Sequence, residues 1–560
     1  MSLKPLPIGT DLFRKLRENN AYYVDKTSII REIVTNASDV HLFTRPRRFG
    51  KTLTMSMLDE FFSVIGDKSI FDGLAITEEK AVCDAYMGKY PTVFVSFKDI
   101  VAPTFEGACV QMRKNISYAA KDIAYLLKSE QMSELDKVQL SRLMDRTASD
   151  GEVMDSLKTF CYLLNLHYGT KAILLIDEYD VPLNHAHLNG YYNEMVSYIR
   201  SMFGQALKTN PYLQFAVLTG CLRISKESIF TGLNNLKVHS ITDVNYDEYF
   251  GFTEPEVEEI LAYYNLTDKK PVVKEWYDGY RFGNEEIYCP WDVINYCYDV
   301  QANPKLKPKT YWMNTSGNAF IKTLIERAPR GTEQMQIEKL IAGEPIRKVI
   351  NEQLTYNEIY DSMENIWSLL FMTGYLTFTE EVEDSELTEY YLRLPNKEVQ
   401  RIFVQQVMAW FKEKSASNIE KLSELYTAFK TGDAETVEKF LNKQLLDCIS
   451  YHDAYESFYH GFLLALLTVC TDWYVHSNRE TGTGRCDISA ESIDGSIGFV
   501  IELKETKDRK KLQEICETAL QQVEDNQYTN TMLEYEFETI YEYGIAFCGK
   551  KCRVMARQVK

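Results

Sequence analysis

The feature that most constrains the fold is the run Lys171-Ala-Ile-Leu-Leu-Ile-Asp177-Glu178, in which five apolar residues end in two carboxylates. Runs so rich in Ile and Leu are typical of a strand that is buried on both faces of a parallel sheet. In open α/β sheets, ligands bind beyond the carboxyl ends of the strands. The pattern therefore predicts a parallel sheet with Asp177 and Glu178 at its ligand-binding edge. The alternative is a solvated acidic turn after a buried strand.

A candidate phosphate-binding loop lies upstream, in the stretch Val40-His-Leu-Phe-Thr-Arg-Pro-Arg-Arg-Phe-Gly-Lys-Thr52. The stretch predicts a short strand, a tight loop and a helix that begins after Gly50. In the pattern G-x-x-x-x-G-K-[ST], backbone N–H groups and the helix N-terminus hold phosphates, the lysine contacts the β and γ oxygens, and the hydroxyl binds Mg²⁺. Gly50, Lys51 and Thr52 occupy the last three positions of that pattern.

The loop departs from this pattern at its first glycine, where the chain has Arg45. Pro46 also removes an N–H group that would otherwise face a phosphate. Arg47 and Arg48 are the residues expected to supply charge instead. Because a G-K-T triplet is common by chance, the prediction of nucleotide binding depends on the Asp-Glu strand that follows it in the chain.

The order of these elements assigns roles in a Mg·ATP site. Thr52 and Asp177 are expected to hold Mg²⁺, and Glu178 to polarise the attacking water. A further predicted strand, 214–219, ends at Thr219, and Arg223 follows shortly after it. These two residues are expected to sense the γ-phosphate, but Thr219-Gly220 reads equally well as a strand-ending turn.

Composition narrows the class of protein. A chain of 560 residues has room for roughly two to four domains, and its hydrophobic content of 45% is ordinary for a globular protein. The formal charge of −19 argues against a chain coated in nucleic acid but leaves room for a local basic channel. The twelve cysteines lack paired metal-ligand spacing, which predicts reduced thiols in a cytoplasmic protein. Neither an N-terminal signal region nor an apolar run of membrane-spanning length is found in the sequence.

A second charged cluster lies near the end of the chain. Segments 484–490 and 498–504 predict an antiparallel hairpin. Glu502 and Lys504 share one face of the second strand, and Asp487 on the first is expected to lie near them. Two carboxylates bind Mg²⁺, and a lysine beside them orients or deprotonates the water that attacks a phosphodiester. The alternative is an edge hairpin whose charges face solvent.

Three neighbouring features bear on this cluster. Glu456, near the start of a predicted helix, is expected to add a metal ligand. Gln522 lies on a later helix and either contacts the cluster or faces solvent, whereas Gln521 is expected to face solvent. A local phosphate-facing patch is predicted from two groups of cations. One lies at and just past the second strand and the other near the end of the chain, namely Lys504, Lys507, Arg509, Lys510 and Lys511, and Lys550, Lys551, Arg553 and Arg557.

The chain as a whole resembles a bacterial AAA-ATPase-like family in which an N-terminal ATPase domain is joined to a C-terminal PD-(D/E)XK-superfamily nuclease domain. The N-terminal resemblance rests on Tyr23-Val-Asp-Lys-Thr27, Arg45-Pro-Arg-Arg-Phe-Gly-Lys-Thr52, Leu175-Ile-Asp-Glu-Tyr-Asp180, Arg223-Ile-Ser-Lys-Glu-Ser-Ile-Phe230 and Gly232-Leu-Asn-Asn-Leu236. The C-terminal resemblance rests on Phe458-Tyr-His-Gly-Phe462, Ser477-Asn-Arg-Glu480, Gly484-Arg-Cys-Asp487 and Glu502-Leu-Lys504.

The resemblance implies phosphate-loop roles for Gly50, Lys51, Thr52, Asp177 and Glu178. It implies nuclease roles for Glu456, Asp487, Glu502 and Lys504. The family pattern Arg-Arg-Phe-Gly-Lys shares the missing first glycine, so this departure does not break the match.

The predicted fold class is α/β, with three parts. Residues 1–246 are expected to form a P-loop NTPase domain on a doubly wound parallel sheet. Residues 247–450 are expected to be mainly helical with a winged-helix-like part, and residues 451–560 to form an α/β domain like a restriction endonuclease.

The leading hypothesis is an ATP-binding and ATP-hydrolysing protein fused to a metal-dependent nuclease. Its cofactors would be ATP and Mg²⁺, with Mn²⁺ as an alternative at the nuclease site. Its partner would be nucleic acid, DNA in preference to RNA, with self-association into a homo-oligomer and no membrane. The rival hypothesis is a nucleotide-switched scaffold whose inactive nuclease-like domain binds a partner.

Overall fold

The computed structural model describes the chain except residues 1–2, 37, 223–228, 231–232, 313–320, 322–323, 325–331, 342, 360, 383–387, 417–418, 449–455, 469–472, 482–483 and 535–536. It separates into two compact units. The first comprises Met1–Ser316 and Arg347–Glu398, and the second comprises Gly317–Ile346 and Val399–Lys560. The domain boundaries predicted at 246 and 450 stay predictions. The first unit extends beyond residue 246, where Phe49, in the phosphate-binding loop, packs against Tyr280 and Phe282.

The first unit is built on a five-stranded sheet in the order β2-β3-β4-β1-β5. Its strands are β1 (Val40–Thr44), β2 (Thr92–Ser96), β3 (Ala172–Asp177), β4 (Leu213–Gly220) and β5 (Leu236–His239). Every pairing in it is parallel. All residues of β1 and β3 are buried, as expected for central strands covered on both faces. The predicted doubly wound α/β core is therefore confirmed.

Nine described helices accompany this sheet, the first two before β1 and the others between successive strands from β1 to β4. They are Phe13–Glu18, Ile29–Thr35, Lys51–Phe62, Lys80–Tyr86, Phe105–Asp122, Glu134–Met144, Asp150–Tyr168, Val181–Leu188 and Tyr192–Leu207. Two of them begin with a serine capping box, at Ser133 and Ser149, which satisfies N–H groups at the first turn.

The rest of the first unit holds two small sheets. One has the order β6-β8-β7, from β6 (Phe252–Thr253), β7 (Tyr280–Phe282) and β8 (Glu285–Tyr288). The other has the order β10-β11-β9, from β9 (Ile346–Val349), β10 (Thr377–Glu381) and β11 (Glu389–Arg393). The accompanying helices are Glu254–Tyr263, Lys270–Tyr277, Pro290–Ala302 and Met363–Met372. The last of these leads into β10, and the winged-helix-like character expected of this region stays a prediction.

The second unit centres on a mixed sheet in the order β12-β13-β14-β15-β16. Its strands are β12 (Trp473–Thr481), β13 (Gly484–Ser492), β14 (Ile497–Glu505), β15 (Thr539–Cys548) and β16 (Lys551–Gln558). The strands β13 and β14 form the predicted antiparallel hairpin. The pair β14 and β15 is parallel, and the helix Leu512–Asp525 lies between them in the chain. This mixed sheet confirms the predicted α/β domain at the end of the chain.

The helices of this part of the chain are Thr332–Ile341, Lys397–Ala416, Ile419–Thr431, Ala434–Cys448, Glu456–Thr468, Leu512–Asp525 and Asn530–Glu534. One hydrophobic core joins Leu425, Phe429, Leu441 and Leu463 to Phe499 and Tyr543 of the sheet. In the described part of the whole chain, no helix is both long enough and apolar enough to cross a membrane.

Candidate functional site

The loop between β1 and the helix Lys51–Phe62 turns through two residues with left-handed backbone conformation. Arg48 has φ +75° and Gly50 has φ +83°. The glycine adopts this conformation without strain, whereas such a φ is uncommon for arginine. The Gly50 carbonyl accepts the N–H of Thr54 at 2.9 Å, and the helix begins at Lys51. The loop thus presents the start of a helix, where N–H groups without a helical partner bind anions.

This helix start borders a cavity of about 690 Å³, within the size range of small-molecule sites. Gly50, Lys51, Thr52 and Glu178 belong to its polar lining. Its aromatic and apolar lining includes Ile8, Tyr22, Val24, Phe252, Trp291 and Ile294. The cavity therefore combines a phosphate-binding loop with a surface suited to a flat, largely apolar ring.

The Lys51 ammonium group is buried beside this cavity. Its Nζ lies 3.3 Å from Glu178 Oε1 and 3.6 Å from Cys221 Sγ. It also donates to the carbonyls of the two residues that follow β1, at 3.1 and 3.0 Å. Burial alone would lower the pKa of Lys51, but Cys221 and the three carboxylates at the end of β3 raise it above its ordinary value. Lys51 therefore stays positively charged, as a phosphate-binding lysine must.

Asp177 is buried at the end of β3, and its carboxylate accepts hydrogen bonds from hydroxyl groups on neighbouring elements. It accepts hydrogen bonds from Thr219 at 2.6 Å, Thr52 at 2.9 Å and Ser96 at 3.2 Å. Burial, and then the charge of Glu178, raises the pKa of Asp177 above its ordinary value. A nearby cation would offset this cost, because it favours the ionised carboxylate.

Thr52 and Asp177, the residues expected to hold Mg²⁺, suit that ion. Hydroxyl and carboxylate oxygens are hard ligands, and Mg²⁺ commonly binds one or two carboxylates while keeping several waters. The two oxygens already lie 2.9 Å apart, and Thr52 lines the cavity. The donor set therefore fits a magnesium ion at the edge of the nucleotide site.

Glu178 follows Asp177 with a φ of +53°, a strained conformation for a side chain of this kind. Its carboxylate lines the cavity beside Lys51. Two residues later, Asp180 is buried, and burial together with Glu178 raises the pKa of Asp180 to about 6. The sequence motif contained Asp180, but its contacts could not be inferred from spacing.

Thr219 and Arg223 were expected to sense the γ-phosphate. The Thr219 hydroxyl lies behind the predicted metal ligand, since it donates to Asp177 and accepts the backbone N–H of Glu178 at 3.4 Å. Arg223 lies outside the described residues. Their sensing roles stay predictions.

Arg45, which replaces the first glycine of the usual loop, has a structural role. Its buried guanidinium donates to the carbonyls of Thr44, His239, Ser240 and Tyr246 at 2.8 to 3.1 Å. It also lies 5.3 Å from the ring centres of two phenylalanines, at 250 and 282. Burial lowers the pKa of Arg45 to about 10, so it remains charged at neutral pH.

Arg47 and Arg48 both line the cavity, as expected of residues that supply charge to the loop. The Arg48 guanidinium lies 3.9 Å above the ring of Trp291, a cation–π contact. Burial lowers the pKa of Arg48. For Arg47, burial acts in the same direction, but Cys221, Asp180 and Glu178 raise its pKa above the ordinary value.

The second site lies on β13 and β14 in the other unit. Asp487 Oδ2 accepts the backbone N–H of Leu503 at 2.8 Å, which holds this carboxylate against β14. Lys504 Nζ lies 3.3 Å from Glu502 Oε1. The structure therefore brings Asp487, Glu502 and Lys504 together, although their catalytic roles stay predictions.

Glu502 is almost fully buried, and this burial changes the pKa of its carboxyl group. Burial, and then the charge of Asp487, raises the pKa of Glu502 to about 7, while Lys504 acts in the opposite direction. Its Oε2 is buried and has no hydrogen-bond partner among the described residues. An unsatisfied carboxylate oxygen beside a second carboxylate fits a divalent cation, because the cation would restore the lost solvation.

Gln522 contacts this site, which decides the alternative that the sequence left open. Its Nε2 donates to Glu502 Oε1, whereas the neighbouring Gln521 bonds with exposed Glu524 and Asp525. The helix Leu512–Asp525 that carries Gln522 packs closely on β15 at Gly544. A helical period alone could not show which of the two glutamines faces the strand.

Two other predicted features remain partly described. Glu456 begins the helix Glu456–Thr468, but its side chain lies outside the described part of the structure. His460 of the same helix contacts the Asp487 carbonyl at 3.0 Å. Within the described residues, no group of three or more His, Cys, Asp and Glu side chains is placed to hold a metal. Asp487 and Glu502 are thus two described carboxylates at this site, and their roles as metal ligands, like that of Glu456, stay predictions.

Two family models match separate parts of the chain. Residues 7–230 match a family model described as a predicted AAA-ATPase, and residues 454–557 match the PD-(D/E)XK nuclease superfamily model. A relative from Azotobacter chroococcum mcd 1, described as an uncharacterized protein in the vnfD 5′ region, is 26% identical over 438 residues. The match covers 77% of this chain and 75% of the relative.

Among solved structures, the Aeropyrum pernix Orc1 protein in complex with DNA matches this chain at 10% sequence identity. The match covers 68% of this chain and 93% of that chain, with a TM-score of 0.21. Similarity at this level is too weak to inform the fold or the function.

Proposed function

For a chain that joins a predicted AAA-ATPase domain at residues 7–230 to a PD-(D/E)XK nuclease superfamily domain at residues 454–557, we propose Mg·ATP hydrolysis and metal-dependent cleavage of nucleic acid. Two separate acidic sites carry this proposal. One combines Lys51, Asp177 and Glu178 beside the cavity, and the other combines Glu502 with Lys504 on the C-terminal sheet.

At the first site, the residues have distinct tasks. Lys51 binds the terminal phosphates, and the N–H groups at the start of its helix bind the phosphate oxygens beside it. Thr52 and Asp177 hold Mg²⁺, which neutralises charge on the phosphates when it is bound. Glu178 orients the attacking water through its carboxylate, one oxygen of which lies 3.3 Å from Lys51 Nζ.

At the second site, Asp487 and Glu502 would hold a divalent cation, which would acidify a water and stabilise charge on the phosphodiester. Lys504 orients that water or accepts a proton from it. Gln522, on the helix Leu512–Asp525, donates a hydrogen bond that fixes the Glu502 carboxylate. Exposed cations at 507 and 509–511 follow β14, and their charge supports a nucleic-acid backbone as the partner of this surface. We propose DNA as the substrate class in preference to RNA.

We also propose that the protein is located in the cytoplasm. Several described cysteines are buried free thiols, namely Cys109, Cys161, Cys221, Cys289, Cys297, Cys516 and Cys552. Thiols kept in this state are typical of proteins in reducing compartments.

One experiment tests the nuclease activity. Purified protein is incubated with single- and double-stranded DNA and RNA, in Mg²⁺, Mn²⁺ or EDTA, with and without ATP. We expect metal-dependent cleavage that Asp487→Ala and Lys504→Ala abolish, while the exposed control Lys443→Ala leaves it unchanged. Absence of cleavage on every substrate would contradict the proposal and favour a nucleotide-switched scaffold, a role that the net charge of −19 also suits.

A second experiment tests the nucleotide site. Lys51→Ala is expected to weaken ATP binding by about a hundredfold, because a buried cation is lost from the phosphate position. Glu178→Gln is expected to bind ATP but lose turnover. Lys128→Ala, at the exposed end of a short 3₁₀ helix, serves as the control. Failure of the wild-type protein to bind nucleotide would contradict this part of the proposal.

A further inference from the structure

The segments that follow β3 and β4 are joined by a set of buried hydrogen bonds. Asp180 Oδ2 accepts the backbone N–H groups of Cys221 at 3.0 Å and Leu222 at 3.1 Å. The Tyr179 hydroxyl donates to the Leu222 carbonyl at 2.5 Å. The Tyr179 N–H donates to the Thr219 carbonyl at 3.1 Å. We call these contacts of Tyr179 and Asp180 with residues 219–222 the β3–β4 clamp.

Close packing shows that the β3–β4 clamp has little room to move. Tyr179 is fully buried, and Asp180 is 3% exposed. A Cβ atom at Gly220 would lie 2.6 Å from the Tyr179 ring and 2.8 Å from Asp180 Oδ1. Real Cβ atoms do not approach other atoms so closely, so the contact requires glycine at this position.

The β3–β4 clamp lies next to Glu178 and Lys51, the groups proposed to act on the nucleotide. Glu178 precedes Tyr179 and has a left-handed φ of +53°, and such strain persists only where surrounding contacts determine the backbone. Lys51 Nζ contacts Glu178 at 3.3 Å and Cys221 at 3.6 Å, so it touches both segments that the clamp joins. The Glu178 N–H also bonds to the Thr219 hydroxyl at 3.4 Å.

We propose that Asp180 is a positioning residue for ATP hydrolysis, which holds the end of β4 against the end of β3 and thereby fixes Glu178 relative to Lys51. Asp180 acts through the backbone of residues 221 and 222 and does not touch the nucleotide. This inference rests on the proposed ATPase activity and assigns to Asp180 a role that Glu178 and Asp177 do not fill.

Two substitutions separate hydrogen bonding from charge. Asp180→Ala removes the acceptor for both N–H groups, whereas Asp180→Asn keeps one side-chain oxygen that accepts them. We expect Asp180→Ala to lower kcat by about a hundredfold with KM changed less than about threefold, because a misplaced Glu178 affects turnover more than binding. Asp180→Asn should keep kcat within about fivefold of the wild-type value. Asp84→Ala, on an exposed helix, is the matched control.

Hydrogen exchange measured by NMR or by mass spectrometry of short peptides supplies a readout that does not need activity. The Cys221 and Leu222 amides should exchange at least about tenfold faster in Asp180→Ala than in wild type, and stay protected in Asp180→Asn. If wild type does not hydrolyse ATP, the proposed function fails, but these exchange rates still test the clamp. Unchanged exchange in Asp180→Ala would overturn the inference, and so would an equal loss of kcat in both Asp180 variants.

A milder variant keeps the inference testable if Asp180→Ala does not fold. Tyr179→Phe removes only the hydroxyl that bonds to the Leu222 carbonyl and leaves the ring in place. We expect faster exchange in the peptide that contains Leu222 and a fall in kcat of about threefold to tenfold. If kcat and exchange both match wild type, the clamp does not position the site.

Discussion

Gly544 lies opposite Glu502 in the parallel pair of β15 and β14. Because Gly544 has no side chain, the helix Leu512–Asp525 packs directly on β15 at this position. A Cβ at this position would be 2.6 Å from both the Cys516 carbonyl and the Leu520 N–H, which are backbone atoms that cannot move aside independently. The close approach of this helix brings Gln522 to the Glu502 carboxylate. One glycine thus links the packing of the domain to the geometry of its acidic site.

We expect Gly544→Ala to push the helix Leu512–Asp525 away from β15. The unfolding free energy should fall by about 1–3 kcal/mol, as in other overpacked sites, and cleavage of nucleic acid should fall with it. Thermal unfolding and the cleavage rate measure the two effects. The control is Gly204→Ala, where a Cβ meets no atom within 4 Å in a helix, and where alanine should be neutral or stabilising. Wild-type stability and cleavage in Gly544→Ala would contradict the link.

Glu502 should make the stability of the second unit depend on pH. Its pKa is about 7 in the folded protein, raised from 4.5 chiefly by burial. The stability associated with the protonated form is therefore fully present below about pH 4.5 and is lost as the pH rises through about 7. In EDTA at pH 8, Glu502→Gln should be more stable than wild type by about 2–3 kcal/mol, with little difference at pH 4.5.

Urea unfolding at the two pH values measures this difference, and Mg²⁺ provides an internal control. A divalent cation that binds the ionised carboxylate should stabilise the wild type at pH 8 and have a smaller effect on Glu502→Gln. Parallel pH dependence of the two proteins would show that Glu502 ionises normally.

Arg45→Gly would restore the consensus glycine of the phosphate-binding loop, yet we expect it to destabilise the protein. Four backbone carbonyls would lose their buried donor, at a cost of about 3 kcal/mol or more. Denaturant unfolding measures the loss. Arg146→Gly is the matched control, since Arg146 is exposed with φ +63°, a conformation that glycine adopts freely. Equal stability of the two variants would show that Arg45 is dispensable.

The exposed cations past β14 should control the salt dependence of nucleic-acid binding. Replacing Lys510 and Lys511 with alanine should reduce the slope of log binding constant against log salt by up to about 2, one for each phosphate contact. Fluorescence anisotropy at several salt concentrations measures the slope. The control Lys339→Ala/Lys443→Ala removes the same charge elsewhere in the second unit. An identical slope in both double variants would rule out this surface as the binding path.

Local sequence patterns were sufficient to predict the strands and the helix start that carry the two sites. The apolar run before Asp177 is a buried parallel strand, Gly50-Lys51-Thr52 begins a helix, and residues 484–504 form a hairpin. These features are readable in the sequence because strand burial, helix starts and side-chain alternation each depend on residues that are neighbours in the chain. The acidic residues at strand ends were likewise recognisable.

Contacts between distant residues were decided only by the tertiary structure. Apart from the Thr44 carbonyl, the groups that contact Arg45, Asp180 and Gln522 lie 20 to 201 positions away along the chain. The same holds for the division of the chain into units, because the loop residue Phe49 packs against β7. Sequence spacing describes neighbours within one helix or strand, whereas these contacts follow from how separate elements pack, which no local pattern encodes.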